Sequence, residues 1–310
     1  MTSEQTPRSI NFVTGSILPT PASTHREPKT HPASAFGFPR DFLGNKYVYV
    51  VMSARAGGLT VGLNLNPNNE CNFKCVYCEI DHGSQSVHSE VDVALATQEL
   101  QKTLLLINSG EIRKRHYYSK LPKELLQLRH VALSGHGEPT LCPQFPEILE
   151  AVSHIRAQGR FSFYKIVVIT NASNLDQENI QRSLKLLTTK DEIWAKLEAG
   201  SEDYMQRVNH ADIPLSKVVS NIILTGKHHP VVIQSLFPLI NEKEPSDLEI
   251  LEYCGRLKEI TAAGATISLV QIYSASRPML GTNVGHLRLK TLSQIAKTVR
   301  VETGLRVELF

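Results

Sequence analysis

From Thr60 onward the sequence repeats one rhythm six times: a short apolar run suited to a strand, then a longer stretch with helical spacing. The runs are Thr60–Leu65, His130–Leu133, Lys165–Ile169, Glu192–Leu197, Val231–Leu236 and Thr266–Ile272. An additional strand is predicted over Tyr47–Met52, turning back through Gly57-Gly58. Helices are predicted over Ser89–Asn108, over Phe145–Ala157, and after Asp176 through Ile180, Leu184 and Leu187. Two short ones follow across 201–226 with Pro214 opening the second, then one capped by Ser246 and running to Thr261, and a last one over Leu289–Val299. Short apolar strands alternating with helices demand a parallel sheet covered by those helices. An open doubly wound sheet and a partial barrel both satisfy the pattern. Either one sets the strands' C-terminal ends on a single face, where the βα loops build sites.

Residues 1–43 lack this rhythm. They are rich in Pro, Thr, Ser and His, and read as a loosely ordered leader pinned by Phe36, Phe38 and Phe42, with one core domain over 44–310. At 41% hydrophobic and 20% charged residues, the chain as a whole is not a disordered one. Its net charge of +3 permits a nucleic-acid partner without calling for one. No stretch approaches the ~20 apolar residues that cross a bilayer, so no membrane partner is expected.

Three of the five cysteines fall within eight residues, in Cys71-Asn72-Phe73-Lys74-Cys75-Val76-Tyr77-Cys78. That is the spacing of a metal or cluster site in a reducing compartment, not a disulfide framework, and it predicts a cytoplasmic location. The triplet directly follows the first of the six strands. Three thiolates at CxxxCxxC spacing can hold one corner of a 4Fe–4S cubane and leave the fourth iron without a protein ligand. An open coordination position admits a small molecule, as in catalytic metal sites. The competing readings are a zinc site completed by His82, Cys142 or Cys254, and three buried cysteines without metal. Zinc sites usually show two separated ligand pairs, which are lacking here.

The CxxxCxxC run, with aromatic Tyr77 ahead of its last cysteine, resembles the signature of the radical S-adenosylmethionine (radical SAM) superfamily. The resemblance implies a 4Fe–4S cluster on Cys71, Cys75 and Cys78 with S-adenosylmethionine chelated at the open iron. It also implies an electron donor such as flavodoxin or ferredoxin, and reductive cleavage to a 5′-deoxyadenosyl radical that abstracts hydrogen from a substrate. Tyr77 would then lie near the adenine. Ser134-Gly135-His136-Gly137-Glu138 follows the second strand and is similar to the superfamily's glycine-glycine-glutamate motif, so that Gly135, Gly137 and Glu138 would hold the methionyl amine. Later strand ends add Thr170-Asn171, with Asn171 facing the site, Glu198 toward the ribose hydroxyls, and Gln234. Loop structure, or helix capping by Ser201, explains these positions equally well.

Ser53-Ala54-Arg55-Ala56-Gly57-Gly58-Leu59, the Gly137-Glu138-Pro139-Thr140-Leu141 run and Glu198-Ala199-Gly200-Ser201-Glu202 narrow the resemblance to the branch of tRNA wyosine-base synthetases, loosely from Tyr47 to Arg277. That likeness implies a partial (β/α)6 barrel of the TIM type, open on one side to admit a macromolecule such as tRNA. The characterised members carry a second cluster on cysteines ahead of the triplet, and no cysteine precedes Cys71 here. Only the radical-generating half is therefore expected to transfer. Alternative readings are a peptide- or protein-modifying radical enzyme, including a glycyl-radical activase, and an iron–sulfur or zinc interaction module without catalysis. The basic run Arg113-Lys114-Arg115-His116-Tyr117-Tyr118 reads as a solvated loop, and Cys142 and Cys254 read as packing residues.

Overall fold

The computed structural model describes residues 40–80, 90–275 and 283–310. The leader up to residue 39, His82, the predicted helix start at Ser89 and the end of the resemblance at Arg277 lie outside these.

In chain order the elements are β1 (Val48–Ser53), β2 (Gly58–Leu63), α1 (Val93–Asn108), α2 (His116–Ser119), β3 (Leu128–Leu133), α3 (Phe145–Ala157), β4 (Lys165–Thr170), α4 (Glu178–Leu184) and β5 (Glu192–Lys196). Then come α5 (Glu202–Asn209), α6 (Leu215–Gly226), β6 (Val231–Leu236), β7 (Pro238–Ile240), α7 (Asp247–Ala262), β8 (Ile267–Tyr273), β9 (Val284–His286), α8 (Leu289–Thr303) and β10 (Val307–Leu309). One eight-stranded sheet runs β1-β2-β3-β4-β5-β6-β8-β10. All its pairings are parallel except β1 with β2. The six strands from β2 to β8 are the six apolar runs of the sequence, in order, and they form the partial TIM-type barrel. Every residue of β2 and of β6 is buried, as expected of parallel strands covered on both faces.

Helix starts follow local chemistry. Asp92 caps α1 by accepting from the Leu95 amide at 2.9 Å, and Ser246 caps α7 through the Glu249 amide at 3.2 Å. Helix α1 thus begins at Val93, a turn later than the apolar spacing suggests. Helix α4 stops at Leu184, and Leu187 packs beyond it. Ser201 does cap α5, through the Tyr204 amide at 3.2 Å.

Two apolar clusters divide the sheet. The larger one fills the space between strands and helices; the smaller, Ala132, Val167, Trp194 and Val232, lies on the other face, inside the barrel. At the outer edge of β1, the buried Glu99 carboxylate of α1 accepts from the amides of Lys46 and Tyr47 at 2.8 Å each and of Val48 at 3.2 Å. Asp41 pairs with Val50 through two backbone bonds of 3.0 and 2.8 Å. Among the described residues no ladder joins β1 to β10. Instead the Arg55 guanidinium, on the β1–β2 turn, lies 4.0 Å from the ring centre of Tyr273 at the end of β8, and 5.9 Å from that of Phe310. The stagger of tilted barrel strands brings these elements together. No helix among the described residues is long and apolar enough to cross a membrane.

Candidate functional site

The chain leaving β2 carries four asparagines in six residues, Asn64 to Asn69, before it reaches the cysteines. Asparagine side chains hydrogen-bond nearby backbone and shape loops without regular structure. Asn64 Oδ1 accepts from the amides of Asn66 (3.2 Å) and His136 (3.0 Å), and Asn66 Nδ2 donates to the Glu138 carbonyl at 3.0 Å. The loops after β2 and β3 are thereby laced together. Gly135 and Gly137 are required by this contact. A Cβ on Gly137 would meet the Glu70 carbonyl oxygen at 1.8 Å, and one on Gly135 would meet Asn64 Oδ1 at 2.3 Å.

The cysteine loop is also tied to α5. The amides of Lys74 and Val76 donate to the carbonyls of Asn209 and Val208, each at 2.9 Å, and Asn209 Nδ2 lies 3.3 Å from Cys75 Sγ. All three cysteines are half-buried and line one cavity of about 450 Å³. Loss of solvent pushes the Cys71 thiol up to about 12 and the Cys75 thiol up to about 11. Thiolates crowded in such a place need a bound cation to hold their charge. Among the described residues no three His, Cys, Asp or Glu side chains gather around one point as a single metal ion would require. A cubane asks for a different arrangement, since each cysteine binds its own iron. The donor set, three soft sulfurs on one cavity wall, fits that group.

Gly135, Gly137, Glu138, Asn171, Gln234 and Tyr77 line the same cavity, so the structure brings six of the seven residues proposed for the cofactor together with the cysteines. Glu138, however, is engaged by the protein. Its Oε1 accepts from the Thr140 amide (3.1 Å) and from the hydroxyls of Thr140 and Thr170 (2.6 Å each), and its Oε2 accepts from the Asn171 amide at 2.6 Å. Burial pushes this carboxyl above its usual range against the pull of those donors. Glu138 therefore joins the ends of β3 and β4. Asn171 continues the chain of bonds, its Nδ2 donating to Asn72 Oδ1 in the cysteine loop at 2.9 Å. Gln234 donates through Nε2 to Gln271 Oε1 at 3.4 Å.

Glu198 is the exception. It lies behind the cavity wall, where its Oε2 accepts from the Tyr77 hydroxyl and from Asn209 Nδ2 (2.6 Å). Burial pushes the Glu198 carboxyl up, opposed by Lys196, Tyr77 and Asn209. Two residues to which the sequence assigned no role join the site here. Asn209 bridges Glu198 and Cys75. Lys196 places Nζ 5.5 Å from the Tyr77 ring centre. Loss of solvent opposes its charge, yet Glu198, Tyr273, Cys75 and Cys78 hold the ammonium above its usual range. The basic run supplies nothing to the cavity. It precedes β3, at the end of the sheet away from the cysteines, and Tyr118 is buried in the core. Cys142 and Cys254 are buried too.

No protein-family model matches the chain. A UPF0026 protein of Synechocystis sp. is 27% identical over 183 residues, which are 58% of this chain and 57% of that protein. A UPF0026 protein of Helicobacter pylori is 25% identical over 177 residues, 57% of this chain and 49% of that one. The chain thus spans about half the length of these curated relatives. Among solved structures, a radical SAM methyltransferase from Sphaerobacter thermophilus has a TM-score of 0.59 at 14% identity, covering 85% of this chain and 69% of its own. SuiB of Streptococcus suis bound to S-adenosylmethionine scores 0.54 at 13% identity, covering 79% and 49%. TYW1 with a lysine–pyruvate adduct bound scores 0.53 at 14% identity, covering 82% and 84%. At these identities the likeness is one of fold: the chain has the fold of radical SAM enzymes.

Proposed function

We propose that this chain is a radical S-adenosylmethionine enzyme acting on an RNA- or nucleotide-derived substrate. The observation that carries the reading is the convergence of Cys71, Cys75 and Cys78 with the Gly135–Glu138 loop on one cavity, in a fold shared with radical SAM enzymes. In this reading Cys71, Cys75 and Cys78 would hold a 4Fe–4S cluster with a coordination position left for S-adenosylmethionine, and with flavodoxin or ferredoxin as electron donor the bound groups would supply a 5′-deoxyadenosyl radical.

The residues of the chain bind, orient and shield. Asn209 donates toward Cys75 Sγ and fixes the loop that carries it. Glu138 sets the shape of the loop against which the methionyl end rests, with any further hydrogen bond taken by Oε2, the oxygen that accepts only one. Tyr77, held by Glu198 and flanked by Lys196, offers its ring to the adenine. Phe73 and Trp194 on the cavity wall exclude water, which protects a reactive intermediate. The substrate class is supported by the resemblance of residues 53–59, 137–141 and 198–202 to the wyosine-base branch.

The test is anaerobic reconstitution with iron and sulfide, then incubation with dithionite and S-adenosylmethionine, with and without total tRNA. The expected result is 5′-deoxyadenosine release and a mass change in a tRNA nucleoside. Release without any change in tRNA would keep the radical chemistry and hand the substrate to the peptide-modifying alternative. No release with a fully loaded cluster overturns the reading.

A further inference from the structure

The cavity does not end at the cysteine loop. It runs inward along the barrel face of the sheet to Thr60, His130 and Trp194. Thr60 on β2 and His130 on β3 are register partners, at a strand spacing of about 4.8 Å, so their side chains stand side by side. The register shifts between Leu59 and Thr60, an irregularity of the kind that re-aims a side chain. Thr60 is 8% and His130 7% exposed. The Thr60 hydroxyl is shut off from solvent and has no hydrogen-bond partner among the described residues. The His130 ring stands edge-on to Trp194 at 5.8 Å, and among the described residues its nitrogens make no hydrogen bond.

A buried hydroxyl without a partner is costly, and one standing beside a neutral imidazole that opens on the end of a cavity marks a site that lacks its occupant. The surroundings narrow what that occupant is. Trp194 has already given its indole N–H to Glu192 Oε2 at 2.7 Å, and the same carboxylate holds Lys165. The Glu192 carboxylate is therefore already engaged, and burial pushes the His130 imidazole down to about 4, keeping it neutral. A neutral imidazole and a hydroxyl each donate and accept. Their complement is an uncharged group with a donor and an acceptor side by side. The walls around it, Ala132, Val167, Trp194 and Val232, are apolar and suit a ring body.

We propose that Thr60 and His130, beside Trp194, form the recognition site for an uncharged heterocyclic ring of the substrate, whose lactam edge meets both side chains. That this ring belongs to the substrate rests on the radical-enzyme reading; the site itself does not.

The experiment uses the anaerobically purified full chain and quinolin-2-one as the probe, with quinoline (an acceptor only) and 2-naphthoate (an anion) as controls. Binding is followed by calorimetry and saturation-transfer NMR. Quinolin-2-one should bind at least tenfold more tightly than either control and stay bound when S-adenosylmethionine is added in excess. Thr60→Val and His130→Phe should each lose about tenfold, whereas Thr60→Ser and His130→Gln keep most of the affinity, with thermal melting close to wild type. Equal binding of quinoline would leave only an apolar pocket with water on its floor and overturn the proposal. Tighter binding of naphthoate, displacement by S-adenosylmethionine, or indifference to all four substitutions would overturn it as well. Iron content of the same preparations separates the two readings: protein that binds the lactam but takes up no iron keeps this site and sinks the radical enzyme.

Discussion

Asn209 Nδ2 stands 3.3 Å from Cys75 Sγ while also donating to Glu198 Oε2 at 2.6 Å, so a residue 134 positions down the chain holds both a cysteine of the triplet and the carboxylate behind it. Hydrogen bonds to ligand sulfurs raise the potential of an iron–sulfur cluster by favouring its more negative, reduced state. Asn209→Ala should leave about four irons per chain and make the cluster harder to reduce, by on the order of 60 mV, tenfold in the reduced-to-oxidised ratio of a one-electron couple. Glu198→Gln should shift it less, because Gln still positions Asn209. An EPR-monitored redox titration decides; an unmoved potential would reduce Asn209 to a loop anchor.

The triplet itself predicts a sharper contrast. Anaerobic wild-type protein should be brown, and Cys71→Ala, Cys75→Ala or Cys78→Ala should each bleach it. Cys142→Ala and Cys254→Ala should keep the iron, since both thiols sit in the apolar core. A colourless preparation with one zinc per chain would restore the mononuclear alternative.

Glu138→Ala should do two things at once. Four donors from Thr140, Thr170 and Asn171 lose their acceptor, which should lower stability by about 2–4 kcal/mol in urea unfolding. S-adenosylmethionine affinity should fall about tenfold to a hundredfold as the loop relaxes, with iron content held. Normal cofactor binding in a destabilised variant would show that Glu138 serves the fold alone.

His130 makes stability depend on pH. Burial lowers its pKa from 6.5 to about 4, helped by Lys165 and Arg129 and opposed by Glu192. Between those values the unfolded chain takes up a proton that the folded chain refuses, so stability is complete above pH 6.5 and declines as the pH falls toward 4. At pH 5 the loss should be about 2 kcal/mol relative to pH 7.5. His130→Gln should flatten this slope in urea unfolding at the two pH values; a parallel decline in both proteins would assign it to other groups.

The six-fold strand–helix rhythm was legible because each core strand carries at least three apolar residues in a short segment, and the triplet was legible because its three cysteines lie within eight positions. β10, Val307–Leu309, and the paired β7 and β9 are three residues each, too short for any period to register. The motif residues could be located but not their partners. Nothing local marks Asn209, the last residue of a short helix, as a neighbour of Cys75. Nor does Gly137-Glu138 reveal that the glutamate turns to strand β4. The asparagine run at 64–69 was the overlooked signal, since side chains of that type, repeated so densely, announce a loop built from side-chain bonds. Thr60 and His130 resemble any residues of a buried strand; only pairing across the sheet makes them a site.

The outer edge of β1 bears on how the protein behaves in company. A bare six-residue strand rich in valine is a template onto which a second chain can add, one backbone bond after another. Glu99 occupies the amides at its start and Asp41 its middle, so the register that a newcomer would copy is already taken. Protection of this edge thus resides in the Glu99 carboxylate and the Asp41 backbone, both remote from the cysteines, and a chain shortened past Asp41 should aggregate more readily at high concentration.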